Sequence, residues 1–172
     1  LGSLCLFPVV GVSYFPKAEK PQILVNISLP RGTRLEATDR FVRHVDSLLL
    51  ARPDVHVTLA NSGMGNPRIY YNMQRWRESS NHGQILVQAA VNSGPEIEQM
   101  VRGLREQFSD WPEGKIEVKE FEQGPPVEAP VAIRILGDNL DTLSRIAWDV
   151  EQMVDETPGT INVVNPLEVA GT

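Results

Sequence analysis

The sequence has a single cysteine, Cys5, so an internal disulfide is excluded and cysteine usage fixes no redox compartment. Positive charge is also scarce. The formal net charge is −6, with no basic stripe to neutralise phosphates, which argues against a nucleic acid or an anionic membrane surface as partner. No apolar run reaches the roughly 20 residues that a spanning helix needs. The longest, Leu4 to Val12, is interrupted by Pro8 and followed by charged residues, without the basic start or the small-residue cleavage pattern of a secretory signal. Its position before a strand suggests the end of a spanning helix, and an ordinary buried strand fits its spacing equally well. The signatures of catalysis are missing as well. There is no Gly-x-Ser-x-Gly elbow, His-Glu-x-x-His or Cys-x-x-Cys, and the carboxylates are dispersed. His44, His56 and His82 lack metal-ligand spacing, and Gly63-Met64-Gly65 lacks the third glycine and following helix of a phosphate loop. The sequence therefore predicts no enzyme, no resident metal and no cofactor.

What is present is enough apolar residue, 41% of 172, to bury a core. Ile23, Val25, Ile27 and Leu29 alternate as one face of a strand, and Pro30-Arg31-Gly32 ends it. Thr33 and Glu36 have the spacing of a capping box, predicting a helix with Phe41, Val42, Val45, Leu48 and Leu49 on one stripe. Val55, Val57 and Leu59 predict a second strand by the same alternation. A turn-rich loop over residues 61–67 follows, then extended character at Ile69 to Met73. The pattern then repeats. Ile85, Val87, Ala89 and Val91 alternate, Ser93 and Glu96 form a second box, and Ile97, Met100, Val101, Leu104 and Phe108 make the next helical stripe before a strand at Ile116 to Phe121.

This order, βαβ, loop, βαβ, predicts an α+β fold of the ferredoxin-like, split βαβ kind. Residues 123–130, with Gly124-Pro125-Pro126 and Pro130, read as a stiff connector and domain boundary. Beyond it, strands at Val131 to Ile135 and at 161–164 flank a helix capped by Asp138 or Asn139, with Leu140, Leu143, Ala147, Val150 and Val154 inward. That is a partial second βαβ unit. Alone it leaves an unpaired edge, so the chain is expected to continue past residue 172. Ile23–Ala60, Gln84–Phe121 and Val131–Val164 thus form three similar strand-helix-strand segments.

Around the glycines of the loop stand Met64, Arg68, Tyr70 and Tyr71, flexible, cationic and aromatic groups that can repack around varied apolar ligands. A plain surface loop has the same composition. Glu122, beside the boundary, is either a cleft residue or a solvated strand end.

Four stretches resemble the porter domain of the permease subunit of resistance-nodulation-division (RND) efflux transporters: residues 15–22, the join Leu29-Pro30-Arg31-Gly32-Thr33 with Ala37-Thr38-Asp39, the loop 63–71, and the link 124–131. Ile133-Arg134-Ile135-Leu136-Gly137 after the link resembles the C-terminal half. The resemblance implies the end of a transmembrane helix and lead-in over residues 1–20, a porter subdomain over 21–123, and an incomplete neighbour over 124–172. It implies a proton-driven, homotrimeric inner-membrane pump of a Gram-negative bacterium, of the multidrug type, with this segment facing the periplasm. Its partners would be small-molecule substrates, the rest of the permease, a periplasmic adaptor and an outer-membrane channel. Asn26, Met64, Asn66, Arg68, Tyr70 and Glu122 match substrate-pathway positions. Asn66-Pro67-Arg68 stands where multidrug members are rich in phenylalanine. The competing reading is a free-standing ferredoxin-like ligand-sensing or protein-interaction module. Such a module should close its last sheet and lack the apolar lead.

Overall fold

A computed structural model describes residues 20–67, 78–109, 111–121, 131–160 and 163–165. The chain divides into two compact units, Leu1–Pro126 and Val127–Thr172. The apolar lead Leu4 to Val12, the extended segment Ile69 to Met73 and the connector 123–130 lie outside the described residues. Among the described residues no helix is long and apolar enough to cross a membrane.

The first unit runs β1 (Gln22–Ser28), α1 (Leu35–Leu50), β2 (Val55–Ser62), β3 (His82–Ala89), α2 (Gly94–Phe108) and β4 (Lys115–Glu120). The strands form one sheet in the order β2-β3-β1-β4, with every neighbouring pair antiparallel. This is the ferredoxin-like, split βαβ arrangement. Ile23, Val25 and Ile27 on β1 and Ile85 and Val87 on β3 are fully buried, in one cluster with the stripes of both helices. Both helices therefore cover the same face of the sheet. All five predicted stripe residues of α2 are buried, whereas on α1 Val42, Val45 and Leu49 are buried and Phe41 and Leu48 only partly. Trp111 packs beside them, its ring centroid 5.9 Å from Phe41 and 5.6 Å from Phe108.

Two local expectations fail for identifiable reasons. The Thr33 hydroxyl donates to the Pro30 carbonyl at 2.6 Å, closing the turn through Gly32 (φ 88°). The helix starts one residue later than the box requires, so the N-cap position falls to Arg34, which makes no side-chain cap, and α1 begins at Leu35. At the second box the Glu96 carboxylate does accept the Ser93 backbone N–H at 3.3 Å and its hydroxyl at 2.5 Å. On β2 the pairing with β3 shifts between Val55 and Val57. A bulge puts one extra residue in the strand and turns the residues after it to the other face. Val55 accordingly packs against the core, while Val57 and Leu59 lie on the face without helices, 52% and 48% exposed.

In the second unit, α3 (Leu140–Asp155) is capped by Asn139, whose side-chain oxygen accepts from the Thr142 N–H at 2.9 Å. No residue of α3 is buried; Leu143, Ala147, Val150 and Val154 are half-buried and Leu140 is exposed. The strand expected at Val131 to Ile135 is not formed, nor is one at Val163 and Val164, while 161 and 162 lie outside the described residues. A strand is held by hydrogen bonds to a neighbour, and no paired strand exists among the described residues of this unit.

Candidate functional site: the open face of the sheet

Residues paired across antiparallel strands project from the same face. On the face without helices the register places Asn61 (β2), Gln84 (β3), Asn26 (β1) and Glu117 (β4) in one row across all four strands. The next row is Leu59, Leu86, Leu24 and Lys119, and beyond it lie Val57, Gln88 and Gln22. The open face therefore carries a strip of leucines between two rows of carboxamides. Gln22 donates to Gln88 at 3.0 Å on one side, and Gln84 donates to Asn26 at 2.8 Å on the other.

The lower amide row is buried although it faces away from both helices of the first unit: Asn26 is 2% and Gln84 4% exposed. Part of the cover is Asn66, itself 3% exposed, whose backbone N–H donates to the Gln84 side-chain oxygen at 2.7 Å. Asn61 Nδ2 donates to Asn66 Oδ1, while Asn66 Nδ2 is buried without a hydrogen-bond partner among the described residues. The segment reaches this position because Gly63 takes φ 78° and its N–H donates to the His82 carbonyl at 2.7 Å, while the Ser79 N–H donates back to Gly63 at 3.0 Å. At the β4 end, the Glu117 carboxylate lies 3.2 Å from Lys119 and 3.9 Å from Lys115.

Of the residues singled out in the sequence, Asn26 and Asn66 meet here through Gln84, and Met64 stands 46% exposed in the same segment. Arg68, Tyr70, Tyr71 and Glu122 lie outside the described residues. Gln84, Asn61 and Glu117 escaped sequence reasoning. Each occupies an outward position in an alternating strand, and nothing but the pairing register shows that they align. His44 sits 5.9 Å from the Trp111 ring and His56 is exposed at the bulge, so neither joins the open face. Among the described residues no group of three or more His, Cys, Asp or Glu is placed to hold a metal ion.

His82 begins β3 on this same face, opposite Ser28. Burial holds its pKa below the ordinary imidazole value, outweighing a backbone contact with Ile27 that works the other way. The unfolded chain then takes up a proton at a higher pH than the folded one, so stability is full above the ordinary value near 6.5 and falls as the pH drops through the lowered folded value. Urea unfolding at about pH 7.5 and at stepped lower pH should show this slope below about pH 6.5, and His82→Gln should flatten it.

A groove between α1 and β2 contains Asp39, whose carboxyl is held below its usual pKa by Arg43 at 2.7 Å and then by the Ser62 hydroxyl at 3.0 Å. This is an exposed ion pair of the kind that contributes little.

Residues 1–170 match the model of the AcrB/AcrD/AcrF family. No curated protein matches the sequence. Among solved structures, the chain is similar to two crystal forms of a heavy metal efflux pump. Form I gives a TM-score of 0.67 at 14% identity over 94% of this chain and 17% of that one. Form II gives 0.52 at 17% identity over 69% and 12%. At those identities the likeness shows the fold alone, and the chain spans less than a fifth of either pump. The match over nearly its whole length establishes that the chain belongs to the AcrB/AcrD/AcrF family of RND efflux permeases.

Proposed function

We propose that the chain is a porter-domain segment of a proton-driven RND permease, and that the open face of its sheet is a wall of the substrate path. The observation that carries this reading is the leucine strip, with Leu59 48% exposed beside Val57 and with Leu86 and Leu24 part-buried, set between hydrogen-bonded amide rows. Such a surface offers dispersion contacts beside the Gln22–Gln88 amide pair, with the Glu117–Lys119 ion pair at the β4 end, which suits uncharged or amphipathic organic molecules. In this reading the segment faces the periplasm of a Gram-negative cell and packs within a trimer. The intact pump then works with an adaptor and an outer-membrane channel. Residues 21–123 form its porter subdomain and 124–172 the start of the next. Met64, Arg68, Tyr70 and Glu122 border the path together with Asn26 and Asn66.

The test is made in the intact permease, in a host lacking its own pumps. Leu59→Glu sets a carboxylate into the strip on an edge strand where the fold tolerates it. A carboxylate resists losing its water to an apolar ligand, so protection against lipophilic organic compounds should fall about fourfold or more at unchanged membrane levels. Leu50→Glu, equally exposed on α1, should leave it intact. Because the structurally similar pump exports heavy metals by name, metal salts belong in the panel. A loss confined to metals, or equal losses from both variants, would overturn the organic-substrate reading.

A further inference from the structure

We propose that Gln84 is a positioning residue that latches the segment Gly63–Pro67 onto the open face of the sheet. The latch rests on three bonds. Gln84 Oε1 accepts the Asn66 backbone N–H at 2.7 Å, Gln84 Nε2 donates to Asn26 Oδ1 at 2.8 Å, and Asn61 Nδ2 donates to Asn66 Oδ1. The Asn66 backbone N–H can only donate, so the Gln84 oxygen must face the segment and its nitrogen then faces Asn26 on β1. Length matters equally. The oxygen reaches Asn66 from β3 on two methylenes, and an asparagine would withdraw it by about 1.5 Å, the length of one carbon-carbon bond.

The latch is built to be reversible. In the docked state Asn66 Nδ2 is buried without a partner among the described residues. An unpaired buried donor costs about as much as a typical hydrogen bond contributes net, so release returns to water a group whose burial opposes the Gln84 bond. Gly63, at φ 78° and joined to His82, provides a fixed pivot at the root of the segment. Docked, the segment covers the polar row and leaves the leucine strip beside it. Released, it exposes Asn26 and Gln84 to whatever occupies that face. The transport consequence rests on the reading given under Proposed function, whereas the latch itself does not.

Hydrogen exchange read by mass spectrometry on this chain tests the latch directly, because the Asn66 amide is its donor. Gln84→Leu removes the acceptor and Gln84→Asn retracts it while keeping an amide, so that one variant suffices if the other fails to fold. Both should speed exchange at residues 64–66 about tenfold, the scale of one lost hydrogen bond, with β1 and β3 unchanged. Unchanged exchange at residues 64–66 in the asparagine variant would overturn the latch. In the intact permease, Gln84→Asn should alter the relative protection against different organic compounds. If exchange accelerates and that profile stays fixed, the latch stands and the reading of this face as a substrate wall falls.

Discussion

Alanine at Gly83 is expected to destabilise the chain by about 1–3 kcal/mol, and alanine at Val42 to recover much of that loss in the double variant. Gly83 faces the core side of β3, paired with Ile27 on one flank and Ser62 on the other. A Cβ built there would lie 2.3 Å from Val42 Cγ2 and 3.3 Å from the Asn61 carbonyl oxygen. Val42 is fully buried, and a valine in a helix has one strongly preferred rotamer, so it cannot turn its methyl away. The clash must instead be relieved by α1 lifting from the sheet. Trimming Val42 to alanine empties the volume that the new methyl fills, which is why the two substitutions should couple favourably. Urea midpoints for the two single variants and the pair give the cycle. Strict additivity would show that Gly83 matters for some reason other than the approach of α1.

The same position illustrates what a linear pattern conveys and what it withholds. The alternation of Ile85, Val87 and Ala89 marked β3 and its buried face correctly, and the spacing of Ile97, Met100, Val101, Leu104 and Phe108 marked α2, because one period is enough to choose a side. Val55, Val57 and Leu59 show the same alternation, yet a single-residue shift against β3 sends the last two to the open face. That bulge leaves no mark in composition. Thr33 had the spacing of a cap, but the helix begins one residue later, behind Arg34, and the Thr33 hydroxyl instead turns back to donate to Pro30. The candidate site was legible only in pieces. Asn26 and Asn66 could be singled out through family resemblance, but their link runs through Gln84, whose alignment depends on the register of two strands far apart in sequence. A polar residue at an outward strand position ordinarily predicts solvent, yet Gln84 is buried, with Asn66 folded back over it as part of the cover.

Helical amphipathicity has the same limit, and the contrast between Leu104 and Leu143 measures it. Leu104→Ala should cost about 2–5 kcal/mol, because Leu104 is fully buried in the cluster formed by α2 and the sheet and its removal leaves a cavity. Leu143→Ala lies on an equally well-patterned stripe, yet α3 has no buried residue and Leu143 is only half-buried, so the loss should stay within about 1 kcal/mol. A stripe states that a helix has a side suited to burial; the magnitude comes from whatever packs on it. Urea unfolding followed by tryptophan fluorescence in a Trp148→Phe background places the signal in the first unit, where Leu104→Ala should lower the midpoint strongly. For Leu143→Ala, far-ultraviolet circular dichroism reports the helix itself. Equal losses from the two variants would mean that the stripe of α3 is buried to the same degree as that of α2, against the exposure of Leu140 on it and the absence of any buried residue in α3.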